Sequence, residues 1–360
     1  MNDTFSGPDE IRKILMTKRP QLQTLPGSGL SSGSTLLNLA CTGTADSAFQ
    51  KGKYYFFVGD SMSGKTWFTL TCLAEACRLK AFKDYSFYHD DVERGANMDL
   101  AYYFGARLTK RLEEPPNKTS TTVEEFYYNI NEALDIGPCI YILDSMDALS
   151  CKADMEQFEK ERKAHATGKE VTGSYGTGKS KANSEGLRHL MNRLQETESI
   201  LIIISQTRDN IGFGAQFNPK TRSGGKALRF YAHCEIWTSV VKTLKKKVKG
   251  KDRQVGAVTR CDVKKNRSTG QQHKVEVPFM HSYGIDDMTS CVEYLIDEGH
   301  WKKNGSLINA EDIDFKGQMK PLLVHIEETG AEDIVREIVE EVWNEIQDSL
   351  RVKDRKRRYE

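Results

Sequence analysis

No stretch of the sequence is apolar for the ~20 residues that a membrane-spanning helix needs. The longest apolar run, around Ile200–Ser205, has the length of a strand. The opening Met1-Asn2-Asp3-Thr4 lacks a basic region followed by an apolar stretch, so no secretory signal is expected. Neither charge sign is in excess, with 52 basic against 51 acidic groups, and bulk charge therefore names no partner. The eight cysteines include no CxxC pair and no Cys/His ligand cluster. In a chain of 360 residues they read as free thiols in a reducing compartment. Secreted, membrane, collagenous and zinc-ribbon classes are thus disfavoured. A hydrophobic content of 38% with 29% charged residues is the mixture of a soluble globular protein.

Apolar runs alternate with amphipathic stretches between about 52 and 240. Strands are expected at Tyr54–Val58, Tyr85–His89, Cys139–Leu143, Ile200–Ser205 and Glu235–Val241, and helices at Trp67–Leu79 and Glu185–Glu196. This alternation implies crossover units and an α/β fold built on a mostly parallel sheet. Before it lies a polar, Gly/Ser-rich segment, with one short helix plausible near Asp9–Met16. Two segments break the rhythm: 152–184, Lys- and Gly-rich, and 206–226, rich in Gly, Asn and Arg. Loops of that length are usually functional or disordered. The basic cluster Lys242–Arg253, with seven Lys/Arg and one Asp, reads as a hairpin tip because Val255–Val263 resumes an extended pattern. After about 300 the pattern turns helical, with 331–350 strongly amphipathic, and a basic tail, Arg351–Arg358, follows.

Gly59-Asp60-Ser61-Met62-Ser63-Gly64-Lys65-Thr66 matches G-x-x-x-x-G-K-[ST]. Such glycines let backbone N–H groups turn inward around phosphate oxygens, the Lys bridges β- and γ-phosphates, and the Thr hydroxyl takes a Mg²⁺ position. The helix that starts there turns its positive end to the anion. Both flanks are right: the apolar Tyr54–Val58 enters and a helical run from Trp67 leaves. A second full match, Gly173 to Ser180, has neither flank and reads as a flexible basic loop. Asp144, ending the apolar Cys139–Leu143 run, can hold Mg²⁺ through water. The strand after the phosphate-loop helix ends in Asp90, Asp91 and Glu93, one of which is expected to orient the attacking water, Asp91 or Glu93 before Asp90.

Several ordered blocks together resemble the RecA recombinase family. They are Ile202–Ser205 with Gln206, Ile211-Gly212, Asn218-Pro219, Gly224-Gly225 and Ala227-Leu228-Arg229-Phe230-Tyr231. Upstream, Ser184-x-x-Leu187-Arg188 fits the helix that follows the family's DNA loop L1, and Leu30–Ala40 its entry to the core. Downstream, Thr259-Arg260…Val263-Lys264-Lys265-Asn266-Arg267 fits its Val-Val-Lys-Asn-Lys segment. The likeness covers about 30–300.

The resemblance implies a RecA-like ATPase core at 35–300 between an N-terminal arm, 1–34, that serves polymerisation, and a small helical C-terminal domain with a basic tail, 301–360. It implies DNA loops L1, about 152–184, and L2, about 207–225. DNA contacts would come from Ser184, Arg188, Arg208, Ile211, Gly212, Arg222, Gly224 and Gly225, with Phe213 and Phe217 either stacking on bases or pinning the loop. Gln206 would sense the γ-phosphate, Asp99 and Tyr102 would clamp adenine, and Lys265 and Arg267 would reach the ATP of a neighbouring subunit. The implied cofactors are ATP and Mg²⁺. The implied partners are single- and double-stranded DNA, further copies of the chain in a helical filament, single-strand-binding protein and a loader, in a bacterial cytoplasm. Asp91-Val92-Glu93 keeps the family's Asp-x-Glu with a two-residue shift, whereas gapless alignment favours Asp91. The loop Gly-Asp-Ser-Met-Ser replaces the bacterial Gly-Pro-Glu-Ser-Ser, and the tail is basic where the bacterial one is acidic. These departures point to a divergent, phage-type branch of the UvsX kind. A ring-shaped helicase or branch-migration motor of the same fold, and a non-enzymatic mediator that binds ATP structurally, are the alternative readings.

Overall fold

The computed structural model describes residues 29–166, 178–209, 220–222 and 225–352. The helix expected near Asp9–Met16, most of the N-terminal arm, Ile211, Gly212, Phe213, Phe217, Gly224 and the tail beyond 352 lie outside these residues.

The chain enters through a short helix, α1 (Thr35–Thr42), and then β1 (Lys53–Gly59) and α2 (Lys65–Ala76). There follow β2 (Ser86–Asp91), α3 (Leu100–Phe104), α4 (Ala106–Arg111), β3 (Leu112–Glu113), α5 (Val123–Ile136) and β4 (Cys139–Asp144). Next come α6 (Lys152–Ala166), α7 (Gly178–Glu196), β5 (Ile200–Asp209), β6 (Lys220–Arg222) and α8 (Lys226–Tyr231). A long hairpin, β7 (Cys234–Val248) and β8 (Lys251–Asn266), leads to β9 (Lys274–Met280), β10 (Gly284–Ile285) and α9 (Asp287–Asp297). Strands β11 (Lys302–Asn304), β12 (Leu307–Ala310) and β13 (Phe315–Gly317) precede α10 (Met319–Thr329) and α11 (Glu332–Ser349).

The main sheet runs β10-β9-β8-β7-β1-β5-β4-β2-β3, with β6 attached to β5. From β7 to β3 all neighbours are parallel, whereas β8, β9 and β10 extend one side in antiparallel fashion. The apolar runs read as continuous because both faces are covered. Side chains alternate all the same. Tyr55, Phe57, Ile140, Ile142, Ile202 and Ile204 enter one core with α1, α2 and α9–α11. Tyr54, Phe56, Val58, Tyr141, Leu143, Leu201 and Ile203 enter the other with α5, α7 and α8. Helix α5 starts where Thr122 and Glu125 form a reciprocal capping box.

Three expectations from periodicity need correction. The 152–184 stretch is not one long loop. It carries α6, which buries no residue, and the start of α7, which buries Asn183, Leu187, Leu190 and Leu194. A mostly polar helix whose few apolar residues, such as Met155 and Phe158, are exposed presents no apolar stripe for periodicity to detect. The segment after 300 is not helical from its start, because a three-stranded antiparallel sheet comes first. Its strands span three or four residues, too few for alternation to register. The strands also run further than their apolar cores, with β7 reaching Val248 and leaving only Lys249-Gly250 as the turn inside the basic cluster.

Trp301 is 1% exposed and donates from Nε1 to Asp312 Oδ2 at 2.6 Å. It lies in the same apolar cluster as Leu37, Phe57 and Val339. Trp301→Ala should therefore cost about 3–5 kcal/mol, read by urea unfolding as a lower midpoint of one transition. Early loss of a minor helical fraction, with the main transition unmoved, would show that the two parts do not share a core.

Candidate functional site

β1 is the hydrogen-bonded neighbour of both β5 and β7, and all its residues but the first are buried. The loop leaving it therefore starts from a fixed point. Gly64 precedes α2 with φ 84°, a left-handed conformation natural to glycine. Lys65 folds back on the loop, donating from Nζ to Gly59 O at 2.9 Å and Asp60 O at 2.7 Å. Burial pulls its pKa down, and the charges of Asp144, Glu93 and Asp60 oppose this. Thr66 Oγ1 donates to Asp144 Oδ2 at 2.6 Å, across from α2 to the end of β4. Among the described residues no three His, Cys, Asp or Glu converge as a metal cage. Mg²⁺ in nucleotide sites uses one or two protein oxygens together with phosphates and water. The Thr66–Asp144 pair is such a donor set, and it fits that ion.

The three acids at and just past the end of β2 are in different environments. Asp90 is buried and accepts from Ser120 N at 2.9 Å, Ser120 Oγ at 2.6 Å and Tyr141 Oη at 2.8 Å. Burial raises its pKa, and these donors oppose the rise. Asp91 accepts from the backbone N–H groups of Gly95 at 3.1 Å and Ala96 at 3.0 Å, closing the turn after the strand. Glu93 faces the other way. Its Oε1 accepts from Ser145 Oγ and from Gln206 Nε2, the latter at 3.1 Å. Glu93, Gln206, Ser145 and the Thr66–Asp144 pair thus gather at the C-terminal ends of β1, β2, β4 and β5.

Asp60 and Asp147 tie this site to the β5–β6 stem, a role that no sequence pattern announces. Asp60 accepts from Thr207 Oγ1 on β5 and Lys220 Nζ on β6. Burial works against its charge, but the Lys220 and Thr207 hydrogen bonds outweigh it and hold its pKa below the usual value. Asp147 accepts from Ser205 Oγ at 2.6 Å and Gln206 N at 2.7 Å, with Arg208 3.7 Å away. Lys179, from the second phosphate-loop-like string, donates to the carbonyls of Asp147 and Leu149 at 3.3 and 2.8 Å. Of that string only Gly178, Lys179 and Ser180 lie within the described residues, where they open α7.

Of the residues expected on DNA, Arg208 is well exposed on β5 and Arg188 is exposed on α7. Ser184 bonds back to Ser180 O at 2.9 Å within α7. Gly225 precedes α8 with φ 84°, and a Cβ there would sit 2.7 Å from Ser180 Oγ, so the starts of α7 and α8 touch. Arg222 pairs with Thr207 through the backbone. Asp99 caps α3, accepting from Tyr102 N at 3.0 Å, and Tyr102 is 67% exposed.

Lys265 and Arg267 lie elsewhere. Lys265 pairs with Glu235, which pairs with Phe56, and Arg267 N donates to His233 O, itself next to Tyr54. Both residues therefore stand toward the N-terminal ends of the parallel strands, away from their own phosphate loop. Lys265 Nζ donates to the carbonyls of Arg229 at 2.6 Å and Phe230 at 2.8 Å, and Arg267 also reaches Phe230 O at 2.8 Å. Burial, then the Arg267 charge, pushes the Lys265 pKa down to about 8.

The family profile for the RecA N-terminal domain matches residues 12–286. The chain belongs to the RecA family. Among its RecA relatives, Protein RecA of Corynebacterium pseudotuberculosis (strain C231) is 28% identical over 326 residues, 89% of this chain and 79% of that protein. Protein RecA of Corynebacterium efficiens is 26% identical over 343 residues, 94% and 79% of the two chains. Protein RecA of Paenarthrobacter aurescens (strain TC1) is 26% identical over 307 residues, 84% and 78%. The RecA family is one of recombinases that serve DNA recombination and repair, and its members are DNA-dependent ATPases that use ATP and Mg²⁺. No helix among the described residues is long and apolar enough to cross a membrane.

The two backbone bonds to Asp91 imply a structural cost that Glu93 does not share. Asp91→Ala should lose about 1–2 kcal/mol of stability, whereas Glu93→Gln, which keeps its size and both partners, should leave the thermal midpoint nearly unmoved. Equal destabilisation of the two variants in thermal unfolding would contradict this division.

Proposed function

We propose that this RecA-family chain polymerises as a helical filament on single-stranded DNA, with ATP between neighbouring subunits, and pairs the strand with a homologous duplex for strand exchange. The supporting observation is the hydrogen bond from Gln206 to Glu93. It joins the strand leading into 210–219 to a carboxylate at the nucleotide site. A γ-phosphate beside Lys65 would compete for the Gln206 amide, and a shift of Gln206 is a shift of the β5–β6 stem. This is the way in which the residues present can couple nucleotide to DNA.

In this reading Lys65 and the loop N–H groups of residues 59–66 hold phosphates, and Asp99 and Tyr102 hold the base. Thr66 and Asp144 would hold Mg²⁺, which supplies neutralising charge to the phosphates. Glu93 is the catalytic residue that orients water, because Asp91 is engaged by two backbone amides and Asp90 by three buried donors. Arg188, Arg208 and Arg222, with the Ser184 hydroxyl and the Gly224-Gly225 backbone, grip DNA phosphates, and Ile211 and Gly212 meet its bases. Such contacts position a strand without reading its sequence. Single-strand-binding protein and a loader complete the partners, and the setting is a bacterial cytoplasm. A phage origin accords with the departures of the phosphate loop.

Lys265 and Arg267 act in trans. Their position toward the opposite ends of the strands from Lys65 sets them apart from their own nucleotide, and their side chains rest on the backbone carbonyls of Arg229 and Phe230. On a neighbour's γ-phosphate they would stabilise the charge that develops during transfer, and only in an assembled polymer.

Two experiments test this function. Glu93→Gln should lose about 10²–10⁴-fold in DNA-stimulated ATP turnover while still binding ATP, and Asp91→Asn should keep most of its turnover. Normal hydrolysis by Glu93→Gln would move the water-orienting role elsewhere.

The second experiment mixes two inactive proteins, Lys65→Ala and the double variant Lys265→Ala/Arg267→Ala. Co-assembled filaments should recover hydrolysis at interfaces that combine an intact loop with intact cations. Full activity of the double variant alone, or inactive mixtures that still co-assemble, would refute the trans role.

A further inference from the structure

His89 lies on β2, next to β4, where it pairs in register with Ile142, two residues before Asp144. Its side chain is 5% exposed. The imidazole Nε2 is buried and makes no hydrogen bond. Its nearest charged oxygen is Asp144 Oδ2 at 3.8 Å, beyond hydrogen-bonding reach. That oxygen already accepts from Thr66 Oγ1. A buried histidine that only filled the core would be expected to satisfy its nitrogens, since an unmade bond of this kind costs about 1–3 kcal/mol. This one instead stops roughly 0.9 Å short of an N–H···O contact of ordinary length.

We infer that His89 is a positioning residue for the metal carboxylate: its Nε2–H closes onto Asp144 when the metal–nucleotide complex binds. The inference rests on the reading of Thr66 and Asp144 as the metal's protein oxygens. A carboxylate oxygen has capacity for more than one donor, so Asp144 Oδ2 can keep Thr66 and gain His89. Carboxylates at metal sites are themselves held by outer hydrogen bonds, and loss of such a bond typically weakens the metal site 10–100-fold. The phosphate loop, the metal pair and His89 belong to three adjoining elements, α2, β4 and β2. A movement under 1 Å between two packed strands is all that the closure needs. His89 also differs from the other polar groups of the site, which are engaged without ligand: Lys65 on carbonyls, Glu93 on Gln206, Asp90 on Ser120 and Tyr141. It is a donor held in reserve beside the metal carboxylate.

The test measures Mn²⁺ binding by electron paramagnetic resonance in the presence of a non-hydrolysable ATP analogue, using the full chain. His89→Leu should weaken nucleotide-dependent Mn²⁺ binding about tenfold or more. Metal-free binding of the analogue should be unchanged. His89→Gln, whose amide N–H reaches the same place, should recover most of the loss. Should His89→Leu not fold, His89→Met against His89→Gln makes the same comparison. Unaltered Mn²⁺ affinity in the apolar variants would overturn the inference, and so would equal loss in the apolar and Gln variants, which marks a packing role. If the unsubstituted protein shows no nucleotide-dependent Mn²⁺ site, the assignment of Thr66 and Asp144 falls first and the role of His89 falls with it.

Discussion

The molecule depends on the immobility of one strand. A phosphate loop can present its N–H groups to an anion only if the backbone that feeds it does not move, and β1 is held on both edges by hydrogen bonds and on both faces by apolar side chains. Tyr55 and Phe57 face one core, and Tyr54, Phe56 and Val58 the other. The next strands in the sheet, β5 and then β4, are each paired on both edges as well, so Gln206 within β5 and Asp144 at the end of β4 are held in place by the sheet. Placing polar chemistry at the ends of strands whose interiors are entirely apolar separates two demands, burial and reactivity, by a single residue step.

Much of this was legible in the sequence, because it rests on local patterns. The phosphate loop, its flanking strand and helix, the apolar run before Asp144 and that before Gln206 all carry their signal within ten residues. The different surroundings of Asp91 and Glu93 could not be read that way. Both are acids, two residues apart where β2 ends, and what distinguishes their surroundings is where the chain turns. Asp91 closes the turn through Gly95 and Ala96, which leaves Glu93 to face Ser145 and Gln206. The engagement of Asp60 by Lys220 was equally hidden, since it depends on the register of a short strand pair 160 residues away. The polar α6 and the small strands β11–β13 escaped for the opposite reason: they have too little apolar periodicity to be seen.

The part of the chain after α9 extends the same logic. Trp301, Leu322, Ile326, Val335 and Val339 join the cluster that backs α1 and α2. Asp287 links the segments as well, accepting from Thr35 on α1 and from Arg336 on α11. The helix that carries Lys65 is thus backed, through one continuous apolar layer, by residues from both ends of the described chain.

The pairing of Asp60 with Thr207 and Lys220 has a thermodynamic consequence. One carboxylate neutralises a cation on the β5–β6 stem while standing at the entrance of the phosphate loop. An anion arriving at the loop is repelled by Asp60 to the extent that Lys220 leaves it uncompensated. A polyanion arriving at the stem draws on Lys220 and exposes Asp60 in turn. Because free energy is a function of state, the two penalties are the same quantity measured from opposite directions. A ligand at either place that brings its own cation, as a metal–nucleotide complex does, arrives with less negative charge and meets a smaller penalty. The sign of communication between the two places is therefore set by the net charge with which each ligand arrives.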